Sequence, residues 1–207
     1  MVKKSLFLFF VLLSVCCAPV VLFPPGIDLL ALEQIGLITF DVENAEGVLD
    51  EIATQRFLEE LQRGQRGIKI IEIGKMDEVL AKVRENTMNP QAAEAIGEEF
   101  GVSSFFFGKI LVSDVKPKID IASIVKSLRV RATFDVFMSA RLVDVENGAI
   151  LWTDSVDREG NLAYLHLSKG MVPYFTVRDQ DKTYRGMINQ MIRRLTIDLR
   201  PTLRRLR

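Results

Sequence analysis

Leu128-Arg129-Val130-Arg131-Ala132-Thr133-Phe134-Asp135-Val136-Phe137-Met138-Ser139-Ala140-Arg141-Leu142 decides the fold class. Every even position is apolar, and the odd positions are polar apart from Phe137. A period of two marks a long strand with one buried face. Glu146-Asn147-Gly148 then turns the chain, and Ala149–Asp154 returns. A two-residue Asn-Gly loop would pair Val143 with Trp152 and move the buried set to the odd positions. A three-residue loop with Gly148 left-handed pairs Leu142 with Trp152 and Asp144 with Ile150, which keeps Trp152 and Ile150 on the apolar face. A one-residue slip flips every side chain, so the three-residue loop is expected.

Upstream, Ile35–Asp41 reads as a strand buried on both faces. Leu49, Ala53, Phe57 and Leu61 recur every four residues and predict a helix over Val48–Leu61, stopped by Gly64 and Gly67. Ile68–Ile73 is a second strand, and Met76, Val79, Leu80 and Val83 mark a short helix. Asn89-Pro90 caps another, with Ala92, Ala95, Ile96 and Phe100 on its stripe and Gly101 at its end. Ser104–Val112 is a third strand, with Phe105-Phe106-Phe107 buried. Ser113–Lys126 reads as a polar connector. Arg158–Asp181 has no clear period. Thr183–Leu199 closes the chain as a helix with Tyr184, Met187, Ile188, Met191 and Leu195 on one stripe, and Pro201 ends it. Strand, helix, strand, helix, strand implies parallel crossovers. The expected fold is therefore α/β: a mixed sheet, with parallel crossovers and then a long antiparallel hairpin, flanked by helices.

The 207 residues suffice for one domain with a real core. Apolar (48%) and charged (26%) fractions are those of a folded protein, and the net charge is zero, so the whole chain offers no case for nucleic acid. The charge is uneven, however. Lys182–Arg207 holds eight bases and one acid, Asp198, a net of +7. A helix end, whose dipole favours cations, accounts for part of it. Arg200, Arg204, Arg205 and Arg207 exceed that need and form a candidate site for an anionic surface.

The N-terminus carries a second signal. Lys3 and Lys4 precede the apolar run Ser5–Val15, and Cys16-Cys17-Ala18-Pro19 follows. A basic start and a short apolar run have the layout of a signal peptide, and the run is too short to span a membrane unless it continues to Phe23 through Pro19. Leu13-Ser14-Val15-Cys16 resembles a bacterial lipobox, in which a cysteine is acylated and becomes the mature N-terminus. This implies a signal peptide over 1–15, lipidation at Cys16 (alternatively Cys17), a tether over 16–34 with Pro24-Pro25-Gly26, and one domain over 35–207. Neither choice places Asp second in the mature chain, so the resemblance implies an outer-membrane lipoprotein facing the periplasm. An uncleaved anchor or an ordinary signal peptide is the competing interpretation.

Catalytic chemistry is not visible. The lone His166 has no Cys, Asp or Glu at ligand spacing, and no phosphate-loop spacing occurs. No cysteine is left for a core disulfide or a thiolate metal site, and Glu59-Glu60 and Glu98-Glu99 fit solvated helix faces. No enzyme activity, metal or cofactor is expected.

Three segments carry a family resemblance. They are Ile35-Gly36-Leu37-Ile38-Thr39-Phe40, then Ala95-Ile96-Gly97-Glu98-Glu99-Phe100-Gly101-Val102 with Phe107-Gly108-Lys109, and the hairpin Ser139–Trp152 with its Asp144-Val145-Glu146-Asn147-Gly148 turn. They resemble the CsgG-like lipoprotein superfamily of curli secretion channel subunits, whose related folds include the TolB N-terminal domain and lipoprotein activators of peptidoglycan synthases. The resemblance implies a non-enzymatic assembly or export scaffold, with ring assembly open to it. The alternative is a regulator that binds an envelope enzyme or transporter. Partners are then the membrane through the lipid, and an envelope protein or further copies of the chain. The curli channel subunit also contributes membrane hairpins. Such strands need about 9–11 alternating residues. Ser113–Lys126, interrupted by Lys116-Pro117-Lys118, and Arg158–Asp181 are expected to supply none.

Overall fold

The computed structural model describes residues 20–45, 48–123, 127–168, 174–177 and 179–205. The expected signal peptide over 1–15, Cys16, Cys17 and Arg207 lie outside them. The strands are β1 (Val20–Phe23), β2 (Ile35–Ile38), β3 (Asp41–Glu43), β4 (Ile70–Gly74), β5 (Ser104–Val112), β6 (Lys116–Ser123), β7 (Ser127–Asp144), β8 (Ile150–Ser168), β9 (Tyr174–Val177) and β10 (Thr202–Arg205). The helices are α1 (Leu49–Gly64), α2 (Met76–Lys82), α3 (Pro90–Phe100) and α4 (Gln180–Leu195). The main sheet runs β4-β2-β5-β7-β8-β9, with β3 on β5 and β6 on β7; β1 and β10 form a separate ribbon.

The fold is the expected α/β one with a mixed sheet. β2 pairs parallel with both β4 and β5, and every residue of β2 is buried. β5 turns the sheet antiparallel against β7. The even positions Phe134, Val136, Met138, Ala140 and Leu142 enter the larger core with α1 and α4. Phe40, Phe57 and Phe106 meet edge to face there, with centroids 5.2 Å apart in each of the two contacts. α2 and α3 cover the other face, against Ile38, Phe105 and Val143. The Asn89 side chain accepts from Ala92 N (2.7 Å), and Gly101 ends α3 at φ 65°. Both caps stand where the sequence placed them.

Four expectations need correction. Leu142 does pair with Trp152, and Gly148 is left-handed (φ 68°). Asp144, however, bonds to Ala149 (2.9 Å) and Val143 pairs with Ile150, so the loop is one residue longer at its start. A bulge at Leu151 then restores the register, and Ile150 is exposed rather than on the apolar face. Phe105 and Phe106 are buried as expected, whereas Phe107 is only half-buried. The connector Ser113–Lys126 contains β6, an edge strand, where a proline such as Pro117 is tolerated. The unread stretch Arg158–Asp181 continues β8 to Ser168 and adds β9.

The tether also packs. Leu29 is fully buried, and its N–H donates to Gln65 Oε1 (2.9 Å). Gln65 Nε2 donates in turn to the Ile27 and Leu199 carbonyls (2.8 and 2.9 Å). After α4 the chain makes a short turn over Ile197–Leu199 and returns as β10.

Candidate functional site

Two of the clefts on the described surface each hold a charged pair tied together. Arg56 Nη1 lies 2.6 Å from Glu59 Oε2, and Lys75 Nζ lies 3.0 Å from Asp50 Oδ2. Hydrogen bonds from Arg56 and then Gln55 hold the Glu59 carboxyl below the usual carboxylate range. Burial pushes Asp50 up, but the Lys75 ammonium and the Glu51 N–H outweigh it, so its pKa is lowered. Asp50 raises the Lys75 pKa. Groups pinned charged in this way are poorly matched to proton transfer near neutral pH. Among the described residues no cluster of three His, Cys, Asp or Glu could hold a metal ion, and no helix is long and apolar enough to cross a membrane. His166 sits in β8, in register with Arg129 and Tyr174.

The basic C-terminus is divided by the structure. Arg200 turns inward, donating from Nη1 to Glu60 Oε2 (3.3 Å) and from Nη2 to the Arg193 carbonyl (3.0 Å). Glu60, expected on a solvated helix face, is instead only 6% exposed at its side chain; it also takes Arg63 on Oε1 and lies 3.5 Å from Arg193 Nε. Arg200 thus serves as a tie between α1, α4 and the tail. Arg204 and Arg205 belong to β10, in register with Val21 and Val20. The tail arginines therefore stand beside the first strand of the chain, an arrangement no local sequence signal announces.

A second surface was missed in the sequence. Beyond Val112, β6, β7, β8 and β9 form a four-stranded antiparallel flap. Register aligns Pro117, Ala132, Ala163 and Val177 in one row, Ile119, Val130, Leu165 and Phe175 in the next, and Ile121, Leu128 and Leu167 in a third. Polar rows alternate with them: Lys118, Arg131, Tyr164 and Thr176, then Asp120, Arg129, His166 and Tyr174. Ile119 is 61% exposed. α4 reaches the base of the flap, where Tyr184 meets Phe134 edge to face at 4.8 Å. At this base a Cβ on Gly160 would stand 2.3 Å from Phe134 and 2.4 Å from Met187, so only glycine lets the helix close on the sheet. Among the described residues the outer edges of β6 and β9 pair with nothing. β6 and β9 alone are short, and the apolar rows exist only where they lie beside β7 and β8.

No protein-family model matches the chain, and no curated protein does. Among solved structures, a PelC dodecamer variant from Paraburkholderia phytofirmans aligns over 89% of this chain and 99% of its own, at 12% identity and a TM-score of 0.50. Lipoprotein GNA1162 from Neisseria meningitidis aligns over 62% and 83%, at 19% identity and a TM-score of 0.38. The LpoB C-terminal domain from Escherichia coli aligns over 64% and 87%, at 11% identity and a TM-score of 0.40. The PelC likeness is one of fold.

Proposed function

We propose that this chain is a lipid-anchored scaffold of the bacterial envelope, without enzymatic activity, that assembles with copies of itself through the flap. The observation that carries this is the flap: apolar rows continued across its strands, ending in two edges that pair with nothing among the described residues. Exposed strand edges are templates for another strand; Lys116-Pro117-Lys118 blunts the start of the β6 edge and leaves Ile119–Ser123 as the stretch that can pair. Pairing the β6 edge of one copy with the β9 edge of the next is a heterologous contact, which closes into a ring when the rotation permits. The same architecture is found in PelC, which is a dodecamer.

Anchor and flap also sit suitably for this role. α4 starts just after β9 and ends close to Asp198, whose carbonyl accepts from Gly26 N (2.7 Å) beside the N-terminal ribbon. The flap and the chain's N-terminal strand therefore lie at opposite ends of a 16-residue helix, about 24 Å long. A lipid at Cys16 would hold one end at the periplasmic face of the outer membrane and point the flap away from it, toward neighbouring copies.

Light scattering of the full chain extracted in mild detergent tests this. We expect an oligomer, and we expect Ile119→Glu to reduce it to monomers while changing stability by less than about 0.5 kcal/mol, as is usual for an exposed site. A monomeric parent, or an oligomer indifferent to the substitution, overturns the proposal. Co-purification of a monomer with a different envelope protein would favour the regulator instead.

A further inference from the structure

We infer that the β1–β10 ribbon is a dock for an anionic phospholipid surface, which fixes how the anchored domain stands on its membrane; this rests on the lipid-anchored reading. The ribbon is built of two four-residue strands. A lone two-stranded ribbon is at best marginally stable in water. This one exposes apolar residues instead of burying them: Leu203 is 71% exposed, its register partner Leu22 62%, and Val20 53%. Neither strand contains an acid, and β10 ends in Arg204 and Arg205. Exposed aliphatics beside cations are the composition that enters a headgroup layer.

Chain length selects the occupant. Cys16 precedes Val20 by four residues, a reach of at most about 14 Å when fully extended. Arg205 is paired in register with Val20. An acyl group on Cys16 would therefore hold the ribbon close enough for both arginines to settle within one Debye length of the headgroups, about 8 Å, where each cation strengthens docking about fivefold. Register alone produces this juxtaposition: the last strand of the chain is laid along the first strand after the anchor.

The test uses the full chain purified from envelope membranes, carrying Trp152→Phe to silence its one native tryptophan and Leu203→Trp as the reporter. It is reconstituted with brominated lipid in vesicles of phosphatidylcholine alone or with phosphatidylglycerol. We expect the reporter to be quenched in the anionic vesicles. We expect Arg204→Gln with Arg205→Gln to lower the docked-to-free ratio about twenty-five-fold. An unquenched reporter, or quenching unchanged by lipid charge and by the arginine substitutions, overturns the inference. Intact mass is read on the same sample. Quenching without an acyl mass would keep the dock and refute the anchor, and an acyl mass without quenching would do the reverse.

Discussion

Glu60 tests how the C-terminal segment is secured to the body. Its carboxylate is 6% exposed and faces Arg63, Arg193 and Arg200, whose side chains are 60%, 65% and 31% exposed. The burial is thus one-sided, and the two directions of perturbation should differ. Glu60→Gln frees three cations that can rehydrate where they stand. Its cost should be that of one charge-assisted hydrogen bond, about 1.5–2 kcal/mol. Replacing Arg63, Arg193 and Arg200 together by alanine leaves a buried carboxylate unpaired, a loss of about 3–5 kcal/mol. Adding Glu60→Gln to that triple variant should then recover stability, because it removes the stranded charge. Arg193→Ala alone, exposed and at 3.5 Å, should cost no more than about 0.5 kcal/mol. Urea unfolding followed by Trp152 fluorescence measures all four. A triple variant no less stable than Glu60→Gln, or no recovery on combining them, would refute the one-sided account.

Phe57→Ala removes a fully buried ring from two edge-to-face contacts and should cost about 4–5 kcal/mol in the same assay. Gly108→Ala would place a Cβ 2.2 Å from the buried Phe40 ring; a loss of about 3 kcal/mol is expected, with disturbed near-UV dichroism. Asn89→Ala removes the cap of α3 and should cost about 1 kcal/mol. Because the folded Asp50 pKa is lowered, the stability it contributes is present above the ordinary carboxylate pKa and is lost as pH falls through the lowered one. Asp50→Asn should therefore flatten the acid side of a stability-against-pH curve, and it should also remove the stability lost on the far alkaline side as Lys75, whose pKa Asp50 raises, gives up its proton.

Legibility in the sequence followed the range of the interactions involved. β2 was readable because a strand buried on both faces has a continuous apolar run. α1 was readable from its four-residue spacing, and α3 from its Asn-Pro and Gly caps. The even residues of β7 announced the core face directly. β6 and β9 were hidden because their apolar residues make sense only beside β7 and β8, and Lys116-Pro117-Lys118 masked the start of β6. The hairpin loop was misplaced because the bulge at Leu151 absorbs one residue and returns the register to that of the shorter loop. The ribbon could not be read at all: β1 finds its partner at the other end of the chain. For the same reason Arg200 stood with Arg204 and Arg205 in the sequence, whereas the buried Glu60 separates it from them in space.

Native mass spectrometry of the full chain, extracted from membranes and then dissociated in the instrument, tests the central claim most directly. The account predicts a closed oligomer that releases subunits starting at an acylated Cys16. A monomer with an unmodified N-terminus would contradict both the anchor and the assembly.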